Sequence, residues 1–511
     1  MSESRTEPNR THLSQTSHFS PWFLGVCFLA FALRLMAIGR PLLGVFATKN
    51  VVYAMIARNL VEHRASFWLP RLDCLRGGQR GLHLLEVPLS AYLAGGLWKG
   101  LGGSLDVWGR AVSIGLSVAS VVILFDYVRR RHGQPAAMAA ATVLALSPVA
   151  VIYGQCFMLE ASVVFLTLST MNALDRWISG RRTVWLAVAA SCFALLALTK
   201  IYMIVLLLPI GYMLFAACRV RARTHQPLPC RIGACKHTPY RTTLVFLVAS
   251  LPAVVWVLFV VHVASPGGSL ADQVFYSLRD STEAHGFPHP LLGQADFYRQ
   301  LFDDFSGVVL TPVAFMLPFA GLLDRQWRRY AVWLLAMAIL VVAMPRKFYE
   351  MNYYYTVSLP PIAIVAGLGW ARLAERLRPS RAAVVVVLVL SLLASLRYTA
   401  GPMLKTPEED RAVLPAAQAV RELTAGDEPV VTMHGSGIDL LYYCDRPGWA
   451  LEPDEPELID RLAACRRAGA KRLVIVDVDG QESPDRDLLP GGMTLITQGD
   501  GFRIYGLPND R

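Results

Sequence analysis

The chain has 511 residues, of which 54% are apolar and 17% are charged. Soluble proteins average about 25% charged residues, so this composition excludes most soluble classes as well as a disordered chain. Lys and Arg number 49 against 38 Asp and Glu, a net charge of +11. In a soluble protein that excess would suggest a nucleic-acid partner, but the apolar residues occur in runs of roughly 16 to 22, the length of a membrane span. The position of each basic residue along the chain therefore decides what the charge means.

The apolar runs predict a polytopic α-helical membrane protein. Each is close to the length that crosses a hydrocarbon core of about 30 Å. One further run, 86–101, is short and contains three glycines and Lys99, so we predict an interfacial helix there. We predict about eleven transmembrane helices, at 21–38, 108–128, 135–153, 158–175, 183–199, 201–217, 242–264, 307–323, 329–345, 355–371 and 382–398.

The basic clusters predict the orientation. They occur near 129–131, 176–182, 219–241, 325–329 and 372–381, and all fall on the cytoplasmic side only when 86–101 does not span. This arrangement predicts a multi-pass protein of the cell (inner) membrane with a cytoplasmic tail at 1–20 and a transmembrane domain at 21–400. It also predicts exterior loops at 39–107 and 265–306.

The last hundred residues have the composition of a soluble domain. Helical spacing occurs at 408–423 and 455–468, and short apolar strands are predicted at 429–433 and 473–478. This alternation predicts a small exterior α/β domain over 401–511. No GxGxxG, P-loop or nucleophile-elbow motif occurs in it, which favours an accessory role.

Two carboxylates stand where the spans meet the exterior. Charged groups at such positions are costly, so each is a candidate functional residue. Glu160 begins the span after the exterior turn Gln155-Cys-Phe-Met-Leu, and Glu86 opens the predicted interfacial helix. Each could act as a general base for a hydroxyl or simply stabilise a helix N-terminus, and the sequence leaves both interpretations open.

Basic and aromatic residues accompany these carboxylates. Lys200 lies at an outer span end, and Arg346 and Lys347 precede the aromatic run that contains Tyr353 and Tyr354. Such residues suit a phosphate attached to an isoprenoid or a sugar ring, since cations bind phosphate and aromatic rings stack. Snorkelling of the lysine and an aromatic belt at the membrane surface are the competing interpretations.

The first exterior loop is itself basic, although the orientation places it outside. Lys49 and Arg58 are among its cations. An anionic ligand at the outer surface, such as a lipid phosphate, would account for this charge, and so would contact with anionic lipid headgroups.

The order of these motifs resembles the GT-C membrane glycosyltransferases. The resemblance covers about residues 20–400 and is greatest for the branch that contains the lipid A aminoarabinose transferase and the protein O-mannosyltransferases. Its motifs are Tyr53-Ala-Met-Ile-Ala-Arg58, Glu86-Val-Pro-Leu, Gly109-Arg110, Leu146-Ser-Pro-Val, the acidic Glu160, Leu198-Thr-Lys200 and the Tyr-Tyr-x(4)-Leu-Pro-Pro run that ends at Pro361.

The resemblance implies an inverting transfer of a sugar from a polyprenyl-phosphate donor to an acceptor hydroxyl at the outer face. The partners would be that donor, a glycan, lipid or protein acceptor, and membrane lipids, with no nucleic acid. By position, Glu160 and Glu86 would carry the acid-base chemistry. The donor phosphate would be held by Lys347, Arg346, Tyr353, Tyr354, Lys200, Arg58 and Lys49.

One departure from the family pattern affects the mechanism. The family usually has an acidic pair in the first exterior loop, and here Lys49-Asn50 stands in its place, while Val87 replaces the lysine of Glu-Lys-Pro-Pro. Three consequences are open: Glu160 and Glu86 carry the chemistry, Lys49 substitutes for a missing metal or lysine, or catalysis is lost. We predict no metal ligands, and a divalent metal is the one cofactor left open. The alternative functions are a non-catalytic membrane assembly factor and a lipid or sugar transporter.

Overall fold

The computed structural model of the chain describes residues 20–224, 234–277, 288–435, 437–453, 457–477 and 493–508. The predicted cytoplasmic tail lies outside the described residues except for Ser20, and so does part of the predicted exterior loop 265–306.

The described residues are mostly helical. Several helices begin at residues that favour a start: Ser20 and Thr311 accept a backbone N–H with their hydroxyls, and a proline follows each of them. The α-helices are α1 (Pro21–Leu35), α2 (Ala47–Val61), α3 (Leu89–Leu101), α4 (Leu105–Leu146), α5 (Pro148–Tyr153), α6 (Glu160–Gly180), α7 (Thr183–Thr199), α8 (Leu207–Thr224), α9 (Ala234–Val263), α10 (Ala295–Asp303), α11 (Pro312–Leu322), α12 (Ala331–Ala343), α13 (Pro345–Glu350), α14 (Leu359–Leu377), α15 (Arg381–Leu404), α16 (Val413–Leu423), α17 (Asp439–Cys444) and α18 (Leu458–Arg467).

Helices occupy each predicted span, but the number of spans is not confirmed. Within the described residues, four helical segments are long and apolar enough to cross a membrane: Leu105–Leu146, Ile201–Arg219, Arg241–Val263 and Arg381–Asp410. The pair Ala295–Val309 and Pro312–Leu322, bent by 106°, makes a fifth if it is one span. Three shorter apolar helices coincide with α1, α7 and α12. The broader prediction of a polytopic helical membrane protein is confirmed, while the figure of about eleven stays a prediction.

Helix α4 covers two of the predicted spans. Its backbone is interrupted at Gly133, where φ is 81°, a left-handed conformation that glycine adopts without a steric penalty. Ser147 ends α4, and its hydroxyl accepts from the backbone N–H of Ala150 at the start of α5. The predicted span 135–153 is therefore a helix that is broken at Ser147, between α4 and α5.

A mixed sheet joins two parts of the chain that are distant in sequence. The first loop supplies β1 (Arg71–Arg76) and β2 (Gln79–His83), and β3 is Val274–Tyr276. The order across the eight described strands is β3-β2-β1-β5-β4-β6-β8-β7, and β1 pairs with β5 in parallel through Cys74 and Gly448. The C-terminal strands are β4 (Val430–Met433), β5 (Gly448–Ala450), β6 (Arg472–Val476), β7 (Thr494–Gly499) and β8 (Phe502–Gly506).

The C-terminal elements agree in part with the sequence. The predicted strands 429–433 and 473–478 correspond to β4 and β6, and the helices predicted at 408–423 and 455–468 correspond to α16 and α18. The sequence missed β5, β7 and β8, and it missed the pairing with the first loop. The separate domain predicted over 401–511 stays a prediction.

Candidate active site

Three ionisable side chains from distant parts of the chain meet in the interior. The Lys200 ammonium nitrogen lies 3.3 Å from Glu86 Oε2 and 4.0 Å from Glu160 Oε1. All three residues are buried, with at most 5% of any of them exposed. Two carboxylates around one ammonium form a group that is costly to bury unless the charges are paired.

The ends of three elements bring this group together. Glu86 lies in the bend between β2 and α3, Glu160 is the first residue of α6, and Lys200 follows the last residue of α7. The Val87 N–H donates to the Leu198 carbonyl at 3.2 Å, which fastens the bend to the end of α7. The prediction that Glu86 opens the interfacial helix is wrong, because α3 begins at Leu89 with Pro88 as its N-cap. Glu86 is therefore free to face Lys200.

Helix α2 adds a hydroxyl to the group. The Tyr53 hydroxyl donates to Glu86 Oε1, and the Tyr53 ring lies 6.3 Å from the His83 ring. Burial would raise the pKa of Glu86, but the ammonium groups of Lys200 and Lys49 outweigh it and hold that pKa at about 2. Burial lowers the pKa of His83 to about 4. At neutral pH the group therefore contains a charged Glu86 and a neutral His83.

Lys49 stands one helical turn before Tyr53, on the same side of α2. Its ammonium lies 5.1 Å from the centre of the Tyr353 ring. Burial, together with the nearby Lys200 ammonium, lowers the pKa of Lys49 to about 8, although Glu86 and Glu160 act in the opposite direction. Lys347 is close enough to lower the Lys49 pKa further. Positive charge thus collects beside the carboxylates.

Asn50 anchors the turn that leads into Glu160. Its side-chain oxygen accepts from the Phe157 N–H at 2.7 Å, and its amide donates to the carbonyls of Val45 and Phe46. The Phe157 ring packs against Gly109 of α4, where an added Cβ would lie 2.1 Å from the ring. Asn50, the second residue of the Lys49-Asn50 pair, therefore holds the turn before Glu160 in position.

Glu160 retains one unpaired oxygen. Its Oε1 faces Lys200, while its Oε2 is buried and has no hydrogen-bond partner among the described residues. A buried polar atom without a partner is uncommon in folded proteins and calls for an explanation. A proton donor supplied by a ligand would satisfy it.

The predicted aromatic run is buried rather than arranged as a surface belt. Tyr353 is 1% exposed and Tyr354 is 8% exposed, and their rings stack with centres 4.7 Å apart. Tyr354 also lies 5.8 Å from the ring of Tyr202, just after Lys200. Arg346 differs, because its side chain is exposed and pairs with Glu350 at 2.7 Å.

Arg58 lies elsewhere. Its guanidinium pairs with Asp73 at 2.6 Å and with Asp445 at 2.7 Å, and it packs over the ring of Tyr442. These partners belong to β1, to α17 and to the residue that follows α17. Arg58 thus joins the first loop to the C-terminal residues, and we leave it out of the site.

Two members of the group were missed by the sequence analysis. Tyr53 belongs to the Tyr53-Ala-Met-Ile-Ala-Arg58 motif without a predicted role, and His83 has no predicted role. Tyr53 could have been found from its four-residue spacing after Lys49, which places both on one helix face. No local signal identifies His83, because its neighbours come from another element.

The residues present do not fit a divalent cation at this group. Glu86 is already held by Lys200 and Tyr53, and Lys49 brings a positive charge to the place where a metal would need negative ligands. A different set could hold a metal ion: Asp410, His434 and Asp439 are buried, and their ligand atoms lie within 4.8 Å of one another. His434 already contacts both carboxylates, at 3.5 Å and 3.2 Å, which ion pairing alone explains.

Comparisons with known proteins show what the chain is similar to. The predicted resemblance to the GT-C membrane glycosyltransferases is confirmed, because residues 86–256 match the dolichyl-phosphate-mannose-protein mannosyltransferase family model and the fold is shared with the structures below. The chain is similar to ArnT from Cupriavidus metallidurans in the apo state, with a TM-score of 0.62 and 14% identity over 95% of this chain and 97% of that one. The same enzyme bound to undecaprenyl phosphate gives a TM-score of 0.58 at 14% identity, with the same coverage.

A second similar structure is an archaeal oligosaccharyltransferase. It is AglB from Archaeoglobus fulgidus in complex with an inhibitory peptide and a dolichol-phosphate. The TM-score is 0.55 at 13% identity, over 89% of this chain and 69% of that one. No curated protein sequence matches the chain significantly.

Proposed function

We propose that this protein is an inverting membrane glycosyltransferase that moves a sugar from a polyprenyl-phosphate donor to an acceptor hydroxyl at the outer face of the cell membrane. The observation that carries the proposal is the buried convergence of Glu86, Lys200 and Glu160 beside Lys49. The C-terminal residues would then lie outside the membrane.

The charges of the group suit a phosphate leaving group. Lys49 and Lys347 supply positive charge that no carboxylate within hydrogen-bond distance neutralises in the described residues, beside the stacked Tyr353 and Tyr354. Lysine binds phosphate as a point charge and needs no fixed hydrogen-bond geometry. Phosphate also leaves readily as an anion, so the site needs cations but no separate general acid. The site has both kinds of group that this reaction needs, because its ammonium groups can bind the phosphate and its carboxylates can accept a proton.

Glu160 is the proposed general base. The acceptor hydroxyl would donate to the unpaired Oε2 and lose its proton to it as the hydroxyl oxygen attacks the anomeric carbon. The new glycosidic bond forms while the bond from the anomeric carbon to the phosphate oxygen breaks, and polyprenyl phosphate leaves. Attack from the side opposite the phosphate inverts the anomeric configuration.

Glu86 has a positioning role in this mechanism. Its two oxygens are held by Lys200 and Tyr53, and its pKa of about 2 makes it a poor proton acceptor at neutral pH. By holding Lys200 between the two carboxylates, Glu86 fixes the ammonium that contacts Glu160. This differs from a role in which both carboxylates exchange protons.

The ligands in the similar structures support a lipid-linked donor. One is undecaprenyl phosphate and another is a dolichol-phosphate. Both are polyprenyl phosphates, and the shared fold supports a donor of that lipid class for this chain. The low sequence identity leaves the donor sugar and the acceptor to experiment.

A non-catalytic assembly role is the second candidate. The observation that favours it is Lys49-Asn50, since Asn50 is committed to backbone contacts and cannot act as an acid or a base. On this alternative the site would bind a lipid phosphate without turnover.

Turnover with a panel of radiolabelled polyprenyl-phosphate sugars tests the proposal. We expect the purified protein in lipid nanodiscs to release polyprenyl phosphate from at least one donor. We expect Lys49→Met to weaken donor binding and Glu422→Gln, which changes an exposed carboxylate on α16, to behave as wild type. Donor binding without transfer to any acceptor would favour the assembly role, and absence of donor binding would contradict both.

A further inference from the structure

A basic cavity lies where the first and last apolar helices end. Its lining comes from the chain just after α1, Asn50 of α2, Arg110 near the start of α4, the end of α5 with the turn before α6, and the end of α15 with the residues that follow it. Three of the lining residues are cations, Arg40, Arg110 and Lys405, and none of the lining residues is acidic. The cavity borders the candidate active site at Asn50 and Cys156 but uses none of its charged residues.

The two arginines are held in place by neutral groups. Arg110 donates to the Pro41 carbonyl at 3.0 Å, and Arg40 donates to the Thr406 hydroxyl at 2.6 Å. Each contact uses one of the five N–H donors of a guanidinium, which leaves donors for a ligand. The carboxylate one turn before Arg110, that of Asp106, accepts instead from the hydroxyls of Tyr442 and Tyr443 at 2.7 Å and 2.9 Å.

Two buried polar atoms in the lining have no hydrogen-bond partner in the described part of the chain. These are Nε of Arg110 and Oε1 of Gln155, in residues that are 6% and 2% exposed. A buried guanidinium without a counter-charge is strongly unfavourable, which points to an anion as its missing partner. Turning the Gln155 amide about its axis would present its NH₂ group to the same anion.

We propose that this cavity is a second anion site, which binds a phosphate group carried by a lipid headgroup or by a soluble phosphorylated compound. Arg110 supplies the buried guanidinium, and Arg40 and Lys405 close the site from the aqueous side. The proposal does not depend on transferase activity, because the cavity contains none of the residues assigned to the reaction.

The position of the cavity favours a lipid headgroup. Its lining includes Ala37, just after α1, and Met403 at the end of α15. Both helices are apolar, and many of their apolar side chains are exposed, as on a lipid-facing surface. The end of such a helix lies at the depth of the lipid phosphates, where clustered basic residues attract anionic lipids.

Lipid retention in nanodiscs tests the site. The full-length protein is placed in nanodiscs of phosphatidylcholine that contain phosphatidylglycerol. It is then released from the nanodiscs in a mass spectrometer, and the phosphatidylglycerol molecules that stay bound to it are counted. We expect the double variant Arg40→Gln/Lys405→Gln to bind phosphatidylglycerol about tenfold more weakly, since each variant removes a charge-assisted hydrogen-bond donor. Arg411→Gln, which removes a nearby exposed cation paired with Glu408, is the matched control and is expected to change nothing.

A second arm distinguishes the two sources of phosphate. Inorganic phosphate is titrated against the protein in phosphatidylcholine alone, and the midpoint of thermal unfolding is followed. If phosphate raises the unfolding temperature of the wild type but not that of the double variant, free phosphate enters the cavity. If phosphate leaves the unfolding temperature unchanged while phosphatidylglycerol is selectively retained, the site binds a lipid headgroup. The proposal is wrong if the double variant retains as much phosphatidylglycerol as the wild type does and free phosphate does not raise the unfolding temperature. An equal loss of both signals in Arg411→Gln would overturn it too. Arg110→Gln is a further variant, and the double variant of the half-buried Arg40 and the exposed Lys405 keeps the test valid if Arg110→Gln does not fold.

Discussion

At the scale of single residues, the candidate site depends on a buried ion pair between Glu86 and Lys200. Removing one partner leaves the other charge buried and uncompensated, which typically costs about 3–5 kcal/mol. We therefore expect Lys200→Met to lower the free energy of unfolding by about that amount and Glu86→Gln/Lys200→Met to recover part of it. Chemical denaturation in detergent measures both.

An exposed pair provides the comparison for that measurement. Arg411 and Glu408 form a solvent-exposed pair at 3.0 Å, and such pairs contribute about 0–1 kcal/mol. Arg411→Gln should therefore change stability little. Equal destabilisation by Lys200→Met and Arg411→Gln would mean that the buried pair has no special role.

The lowered pKa of Lys49 predicts an alkaline loss of activity. In the free enzyme Lys49 loses its proton near pH 8, so donor capture as reported by kcat/KM should fall as the pH rises through 8. Lys49→Arg should keep its charge and shift this fall to higher pH. A profile that is unchanged in Lys49→Arg would assign the ionisation to another group.

The same ionisation has the opposite effect on stability. Because the Lys49 pKa is lower in the folded protein than its unfolded value of about 10.4, the unfolded chain binds more protons between these two values. The contribution of Lys49 to the free energy of unfolding should therefore rise with pH from about 8 to about 10.4. Lys49→Met should remove that rise, which denaturation at several pH values can measure.

Part of the site could be predicted from residues alone, and the reason is electrostatic. Glu86, Glu160 and Lys200 stand out because charge beside an apolar run is costly, and the structure brings these three together. Arg58 has the same local signature, but its partners Asp73 and Asp445 are 15 and 387 positions away along the chain. Sequence pattern does not reveal partners at such separations, so it could not distinguish a structural arginine from a ligand-binding one.

At the scale of elements, the turn between α5 and α6 determines where Glu160 lies. It is held by the Asn50 side chain and by contact of Phe157 with Gly109 on α4. Gly109→Ala places a methyl group into a buried ring, and such overpacking costs about 1–3 kcal/mol. We expect a lower unfolding temperature and reduced turnover, because the turn must move.

Gly115 on the same helix is the matched control. An added Cβ there meets no atom within 4 Å. Gly115→Ala should leave turnover unchanged and stabilise the helix by up to about 1 kcal/mol. If both alanine variants behave alike, contact with Phe157 does not position Glu160.

Elements with their own periodicity could be predicted, while elements that depend on distant pairing could not. The long apolar runs gave helices at the expected places, and β4 and β6 form the buried centre of the C-terminal strands. Strands β1 and β2 are short and rich in arginine, so their sequence does not alternate as a half-buried strand would. The partner of β1 on its other side, β5, lies more than 370 residues away along the chain.

At the scale of the whole molecule, the mixed sheet links the first loop to the C-terminal residues. Arg58 lies at this junction and neutralises Asp73, which is 2% exposed. We expect Arg58→Met to destabilise the junction by about 3 kcal/mol, because Asp73 loses its shorter ion pair and keeps the Asn59 amide and the longer ion pair with Arg80. Faster hydrogen exchange of the β1 and β5 amides in the full-length protein would show this.

Local destabilisation can be separated from global unfolding in that experiment. Amides of α14, which packs against α4 in the helical part, should exchange at the wild-type rate in Arg58→Met. Equal acceleration in α14 and in the two strands would indicate that Arg58 supports the whole fold rather than the junction.

The excess of positive charge is divided between the two ends of the helices. On the predicted cytoplasmic side, Arg130 and Arg131 pair with Asp175 of α6, and Arg176 pairs with Asp126. At the other end, Lys49 and Lys200 lie beside the carboxylate group, Lys347 lies close to Lys49, and Arg40, Arg110 and Lys405 line the second cavity. The first set braces neighbouring helices through ion pairs, and the second is the one that we propose for anionic ligands.

The most direct test of the account is a single-turnover comparison of wild type with Glu160→Gln, using a donor that the panel identifies. Donor affinity and the rate of sugar transfer are measured on the same samples. The account predicts donor binding within about threefold of wild type and transfer slower by about 10²–10⁴-fold, the usual contribution of a general base. Transfer by Glu160→Gln at the wild-type rate would contradict the assignment of Glu160 as the base and, with it, the proposed mechanism.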